Sequence, residues 1–153
     1  MDLAARNKAL IERMHADLLA TRDPRRVAHY FSPSFRSHNL PPGFPEGPAG
    51  AQRFFASFVD ALRDISVNTD VILAEADLVA VRTTTRGIHR GPLLGIPGTG
   101  RRLEIDGTDV VRIEDGRIAE HWGLTNTVGV LEQVGTLARL RWLARLLVGR
   151  RQR

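Results

Sequence analysis

Residues 109–122 read DVVRIEDGRIAEHW, and the fold is most readily predicted from this stretch. Apolar and polar residues alternate on both sides of Asp115-Gly116, a pair typical of the short turn of a β-hairpin. The stretch therefore predicts two antiparallel strands. We expect the first over residues 101–114 and the second from residue 118 to about 126.

Working outward from the hairpin, two earlier strands are indicated. Alternating apolar residues begin at Ile65 and continue to Leu73, and residues 78–85 are β-branched and extended. Short connections between successive strands predict an antiparallel meander in the second half of the chain.

The first half of the chain predicts helices. Apolar residues recur at helical spacing over residues 2–20, and residues 51–62 show a similar pattern. Between them, Asp23-Pro24 starts a short helix that is expected to end near Ser32-Pro33. The proline- and glycine-rich residues 40–50 predict a rim or lid. Helices followed by a meander predict an α+β domain.

The charge and composition restrict the classes of function. The 153 residues include no cysteine, which excludes disulfides, thiolate metal sites and a cysteine nucleophile. The net charge of +5 arises from six arginines in residues 136–153, and without them basic and acidic residues nearly balance. We therefore expect no nucleic-acid partner. Neither a secretion signal nor an apolar run long enough to span a membrane is visible, so a cytoplasmic protein is expected.

The chain is expected to divide into a domain over residues 1–135 and a tail over 136–153. Leu137, Leu140, Ala144 and Leu147 would form one face of a basic amphipathic tail helix. We expect this helix to dock on its own domain or on a second subunit. Contact with an anionic membrane surface is the less favoured alternative.

Three segments, in this order and spacing, resemble the SnoaL-like polyketide cyclases of the nuclear transport factor 2-like superfamily. Residues 87–101 (GIHRGPLLGIPGTGR) are similar to the family's GxHxGxxxGxPxTGR loop. Residues 109–122 are similar to its RIxDGKIxEHW hairpin, and residues 131–135 (LEQVG) to its LxQLG segment. The resemblance covers about residues 5–135.

This resemblance implies a curved antiparallel sheet that forms a cone closed by N-terminal helices, with the active site inside and dimers common. It also implies that an aspartate in the last strand acts as general acid and base in an intramolecular aldol closure, without metal or cofactor. That position is Gly123 in this chain. A pocket histidine of the family falls on Asp109, so we expect that the carboxylate has moved to the neighbouring strand.

Strand alternation independently favours Asp109 as the site carboxylate. If Asp109 points into the cone, so do Ile105, Gly107 and Val111, and His121 can meet it across the hairpin. Apolar surroundings disfavour a charged carboxylate, which suits proton exchange with a substrate, and an imidazole can orient the carboxylate or polarise an oxygen. The alternative is a buried Asp–His pair that only ties two strands together.

Other polar residues are candidates for substrate contact. His38 could instead cap the loop that follows it, Arg82 could lie on a solvated face, and His89 could be structural. His15 and His29 are expected to be structural or exposed. No metal-ligand spacing, phosphate-binding loop or nucleophile elbow is present. The candidate substrate-binding residues are His38, Asn39, Arg82, His89, Trp122 and Asn126.

The function predicted from the sequence is a cofactor-independent cyclase or isomerase acting on a hydrophobic, polyketide-like natural product. A noncatalytic small-ligand-binding or dimeric interaction protein of the same fold is the alternative from another class. Epoxide opening by a hydrolase or cyclase is the alternative among enzymes. Gly107 and Val111 count against the aspartate–arginine–aspartate version of that chemistry.

Overall fold

The structure is a computed structural model that describes residues 2–135; the tail helix predicted within residues 136–153 lies outside the described residues. The chain begins with α1 (Leu3–Thr21), whose first turn is capped by the side chain of Asp2. A 3₁₀ helix (Pro24–His29) and α2 (Gly47–Ala61) follow. No helix in this part of the chain is both long and apolar enough to cross a bilayer.

Five strands form one curved sheet in the order β1-β5-β4-β3-β2. The last four are an antiparallel meander, whereas β1 pairs with β5 in parallel. A short helix, α3 (Thr127–Gln133), closes the described chain. The strands are β1 (Phe31–Ser37), β2 (Leu62–Glu75), β3 (Leu78–His89), β4 (Arg102–Glu114) and β5 (Arg117–Thr125).

The predicted α+β architecture is confirmed, and so is the hairpin of β4 and β5. Asp115 and Gly116 both have positive φ, 49° and 72°, as the tight hairpin turn requires. Strand β1 is a correction, because the sequence predicted the end of a helix there. Pro33 and three serines have low strand propensity, so the sequence of β1 does not resemble a strand. The strand forms because it pairs with β5.

The helices cover one face of the sheet, which we call the inner face. The apolar stripe of α1 packs across β2 and β3, and α2 packs against β1. Ile11 is 1% exposed, and burying such a side chain contributes about 1.5–3 kcal/mol. The first core cluster comprises Leu10, Ile11, Phe35, Val79, Val81, Val111, Ile113 and Ile118.

A second core cluster lies at the other end of the sheet, and the inner face of β4 contributes to both clusters. Leu103 and Ile105 belong to the second cluster, whereas Val111 and Ile113 belong to the first. Between them on that face the sequence places Gly107 and Asp109. The apolar core is therefore interrupted at Asp109.

Candidate active site

Asp109 and His121 meet in this interruption. His121 Nε2 lies 2.8 Å from Asp109 Oδ1. In the register of β4 and β5, Val111 lies opposite His121 and Asp109 lies opposite Gly123, so the pair is diagonal across the hairpin. The contact expected from strand alternation is present.

A serine on β1 completes a chain of three side chains. Ser37 pairs with His121 in the β1–β5 register, and its Oγ lies 2.9 Å from His121 Nδ1. If the Asp109 carboxylate accepts the Nε2 proton, Nδ1 is free to accept the hydroxyl proton of Ser37. Ser37 could not be predicted from the sequence, since β1 itself was not predicted.

Gly123 makes room for the pair. A Cβ atom at this position would lie 2.6 Å from Asp109 Oδ1, and 2.7 and 2.8 Å from Cε1 and Nε2 of His121. Real Cβ atoms do not approach other atoms so closely. The Gly123 N–H also donates to Asn39 Oδ1 at 2.9 Å. Asn39 therefore contacts β5 at the residue next to the pair. The site thus accommodates Asp109–His121 because residue 123 has no side chain.

The pair is accessible. The side chain of Asp109 is 36% exposed and that of His121 is 26% exposed. A small molecule can therefore reach both side chains. Apolar residues of the first and second core clusters lie on either side of them. Such an arrangement suits proton transfer to a hydrophobic substrate, because the reactive groups are available and their surroundings exclude part of the water.

His15 on α1 belongs to the surroundings of the pair, although the sequence predicted a structural or exposed residue there. The ring is half-buried, and the pKa of His15 is lowered by this burial. The negative charge of Asp109 opposes the shift, so the two groups lie within electrostatic range. Sequence alone did not show which strand lies beneath α1.

His38 and Trp122 occupy the opposite, outer face. Their rings stack at 5.0 Å, and His38 Nε2 lies 2.8 Å from Glu120, which also receives a hydrogen bond from Arg112. Both hydrogen bonds lower the pKa of Glu120, and the bond with His38 has the larger effect. Since Glu120 and Trp122 alternate with His121 along β5, the structure does not bring His38 or Trp122 together with Asp109.

Three further candidates also lie away from the pair. Arg82 is bonded to Asp70 at 3.3 Å on the outer face. His89 is 0% exposed; its Nδ1 lies 3.0 Å from Thr99 Oγ1, which fits a structural role in the loop over residues 90–100. Asn126 caps α3 by accepting the N–H of Gly129.

The described residues offer no other site of comparable chemistry. None of their His, Asp and Glu side chains form a group of three that could hold a metal ion. A groove of about 520 Å³ lies where β4 and β5 meet α3, but its lining includes neither Asp109 nor His121. Leu124 and Thr108, an outer-face pair, are among its lining residues.

Comparison with known proteins identifies the family. The sequence pattern of the SnoaL-like polyketide cyclases matches residues 9–134. The chain belongs to the SnoaL-like polyketide cyclase family. This confirms the resemblance carried by the loop, the hairpin and the final LEQVG segment.

Individual relatives agree with this assignment. The chain is 35% identical over 57 residues to DnrD, the aklanonic acid methyl ester cyclase of Streptomyces peucetius, which is 37% of this chain and 39% of the relative. The match thus spans about two fifths of that relative. TsrD from Streptomyces laurentii has a similar structure, with a TM-score of 0.78, 32% identity and coverage of 88% and 98% of the two chains.

A third relative has a different name. AclR from Streptomyces galilaeus, named as a candidate hydroxylase, gives a TM-score of 0.74 at 27% identity and covers 87% of this chain and 98% of its own. Proteins with different assigned activities therefore share this fold, and the reaction has to be argued from the site.

Proposed function

We propose that this protein is a cofactor-independent cyclase or isomerase that acts by acid/base chemistry on a hydrophobic, polyketide-like substrate. The observation that carries the proposal is the 2.8 Å hydrogen bond between Asp109 and His121, placed where the apolar core is interrupted. Gly123, where the resemblance implies a catalytic aspartate, gives Asp109 the space to act in its place.

The proposed reaction is an intramolecular aldol closure. The Asp109 carboxylate removes a proton from a carbon flanked by carbonyl groups, and the electron pair of that C–H bond forms an enolate. The enolate carbon attacks a second carbonyl of the same molecule, so a C–C bond forms and the carbonyl oxygen becomes an alkoxide. The proton held by Asp109 then passes to the alkoxide, and the carboxylate is regenerated.

His121 has an orienting role in this scheme. Its hydrogen bond fixes one oxygen of Asp109, and Ser37 on the other side of the ring fixes the imidazole. The apolar walls hold the acyclic chain folded, so that the reacting carbon atoms meet without loss of further freedom at the transition state.

Turnover of aklanonic acid methyl ester, the compound in the name of the DnrD relative, is the direct test. Aldol closure leaves the mass unchanged, so the product is a new chromatographic peak of the same mass. Proton transfer contributes roughly 100- to 10,000-fold to such reactions. We expect Asp109→Asn to lose activity in that range, and His121→Ala to lose less.

Asp115→Asn and His29→Ala are matched controls, because both residues are exposed and lie away from the pair. Neither should change turnover. Two results would contradict the proposal: equal turnover in Asp109→Asn, His121→Ala and the native protein, or a native protein that neither converts the ester nor exchanges its acidic protons with deuterated water. The second result, together with retained ligand binding, would favour the noncatalytic alternative.

The proposal includes a homodimer acting in the cytoplasm, as expected from the sequence. Three large apolar side chains on the outer face support self-association, since Leu73, Leu124 and Val71 are 64%, 76% and 47% exposed. Exposed apolar surface of this kind is typical of interfaces.

A further inference from the structure

The side chain of His15 points from α1 toward the inner face of the sheet. It lies four residues after Ile11 and three before Leu18, which are 1% and 7% exposed, and these spacings place all three on one helix face. Ile11, on the same helix face as His15, belongs to the first core cluster together with Val111. Val111 is the residue opposite His121 in the hairpin, so His15 lies on the helix side of the site.

One ring nitrogen of His15, like Nε2 of His89, is buried without a hydrogen-bond partner among the described residues. In His15 this nitrogen is Nδ1, which is shielded from solvent. A buried N–H group without an acceptor is rarer in proteins than an acceptor without a donor, which favours the tautomer with the proton on Nε2. Burial lowers the pKa of His15, so the ring is neutral near pH 7. His15 is thus a neutral N–H donor on the helix side of the site.

We propose that His15 is a substrate-binding residue whose Nε2–H donates to the carbonyl oxygen that becomes the enolate oxygen, across the substrate from Asp109. This inference rests on the proposed function and adds a second group to it. Removing a proton beside a carbonyl moves negative charge onto that oxygen, and a fixed donor stabilises it as the charge develops. A neutral donor also forms no ion pair with Asp109, so the carboxylate stays available to take the substrate proton.

Binding of 1,8-dihydroxyanthraquinone, compared with anthracene, tests the inference without turnover. The two rings are alike, but only the first has oxygens to accept a hydrogen bond. We expect His15→Leu to weaken binding of the quinone about fivefold, the effect of one neutral hydrogen bond, and to leave anthracene unchanged. His15→Gln keeps an N–H donor and should bind the quinone within about twofold of the native protein. His29→Leu, at an exposed histidine, is the control.

Nitrogen-15 NMR of the native protein gives an answer even if His15→Leu does not fold. The expected spectrum shows a neutral ring protonated at Nε2, with that proton shifted when the quinone is added and unchanged with anthracene. A ring protonated at Nδ1 alone, or a loss of affinity that is equal for both ligands, would overturn the inference. Since neither measurement needs turnover, failure here is distinct from failure of the Asp109 proposal.

Discussion

At the scale of single residues, position 123 explains how the site departs from the pattern implied by the resemblance. An aspartate there would place its Cβ within 2.6–2.8 Å of atoms that Asp109 and His121 already occupy. A side chain at 123 therefore requires the side chains of Asp109 and His121 to move from the positions that they occupy here. The glycine at 123 and the carboxylate at 109 are therefore coupled. Replacing either residue alone is expected to lower the unfolding free energy or the turnover.

Replacing Gly123 with alanine tests this coupling. The new methyl group forces the Asp109 and His121 side chains apart, and overpacking of this kind typically costs about 1–3 kcal/mol. We expect a loss of unfolding free energy in that range, measured by urea denaturation, and a loss of turnover with it. In an Asp109→Ala/His121→Ala background the same substitution should cost less than about 0.5 kcal/mol, because the colliding atoms are gone. An equal cost in both backgrounds would show that the two sites are independent.

The contact between Asp109 and His121 could be predicted from the sequence because one hairpin contains both residues. Alternation along β4 and β5 was sufficient to bring Asp109 toward His121. Ser37 and His15 were missed because their positions depend on β1 and α1 packing against distant strands. Their residue types carry no local signal of that packing. The same limit applies to His38, whose position beside Trp122 follows from the parallel pairing of β1 with β5.

At the scale of elements, α3 completes the sheet. Strand β5 ends opposite Gly107, so the backbone of β4 before that residue has no strand on this side. Gln133 takes the place of a strand: its Oε1 accepts the N–H of Glu104 and its Nε2 donates to the C=O of Glu104, both at 2.7 Å. Arg101 in turn donates to the backbone oxygen of Gln133 at 2.8 Å. This gives a physical reason for the glutamine of the LEQVG segment.

Replacing Gln133 with leucine should therefore loosen the start of β4. Three side-chain hydrogen bonds are lost, two to the backbone of Glu104 and one to the backbone oxygen of Gly129. A hydrogen bond typically contributes about 0.5–1.5 kcal/mol. We expect amide hydrogen exchange at Glu104 to accelerate while exchange at Val111, further along the strand, changes little. Glu132→Ala, at the exposed neighbouring residue, should leave both amides unaffected. Unchanged exchange at Glu104 in the leucine variant would show that Gln133 does not hold this edge.

At the scale of the whole molecule, the outer face of the sheet is the face on which neither α1 nor α2 packs, within residues 2–135. Leu73, Ala80, Val110 and Trp122 form a row across four strands in the observed register. Charged groups of both signs border this row, with Arg112 bonded to Glu120 on one strand pair. In a two-fold dimer the same patch of both subunits meets itself. A patch that contains charges of both signs can then pair positive groups of one subunit with negative groups of the other.

The homodimer proposal is tested by placing charge on this face. Each exposed leucine that becomes buried contributes about 1.5–3 kcal/mol, so Leu73→Glu with Leu124→Glu should weaken dimerisation by at least about 100-fold. Light scattering at a micromolar concentration should then show a dimer for the native protein and a monomer for the double variant. Leu3→Glu changes a similarly exposed leucine on α1, away from the sheet, and should leave the dimer intact.

A monomeric native protein would refute the dimer, and a dimer that persists in the double variant would place the interface elsewhere. Since Asp109 and His121 lie on the inner face, turnover per chain in the monomeric variant should stay close to that of the native protein.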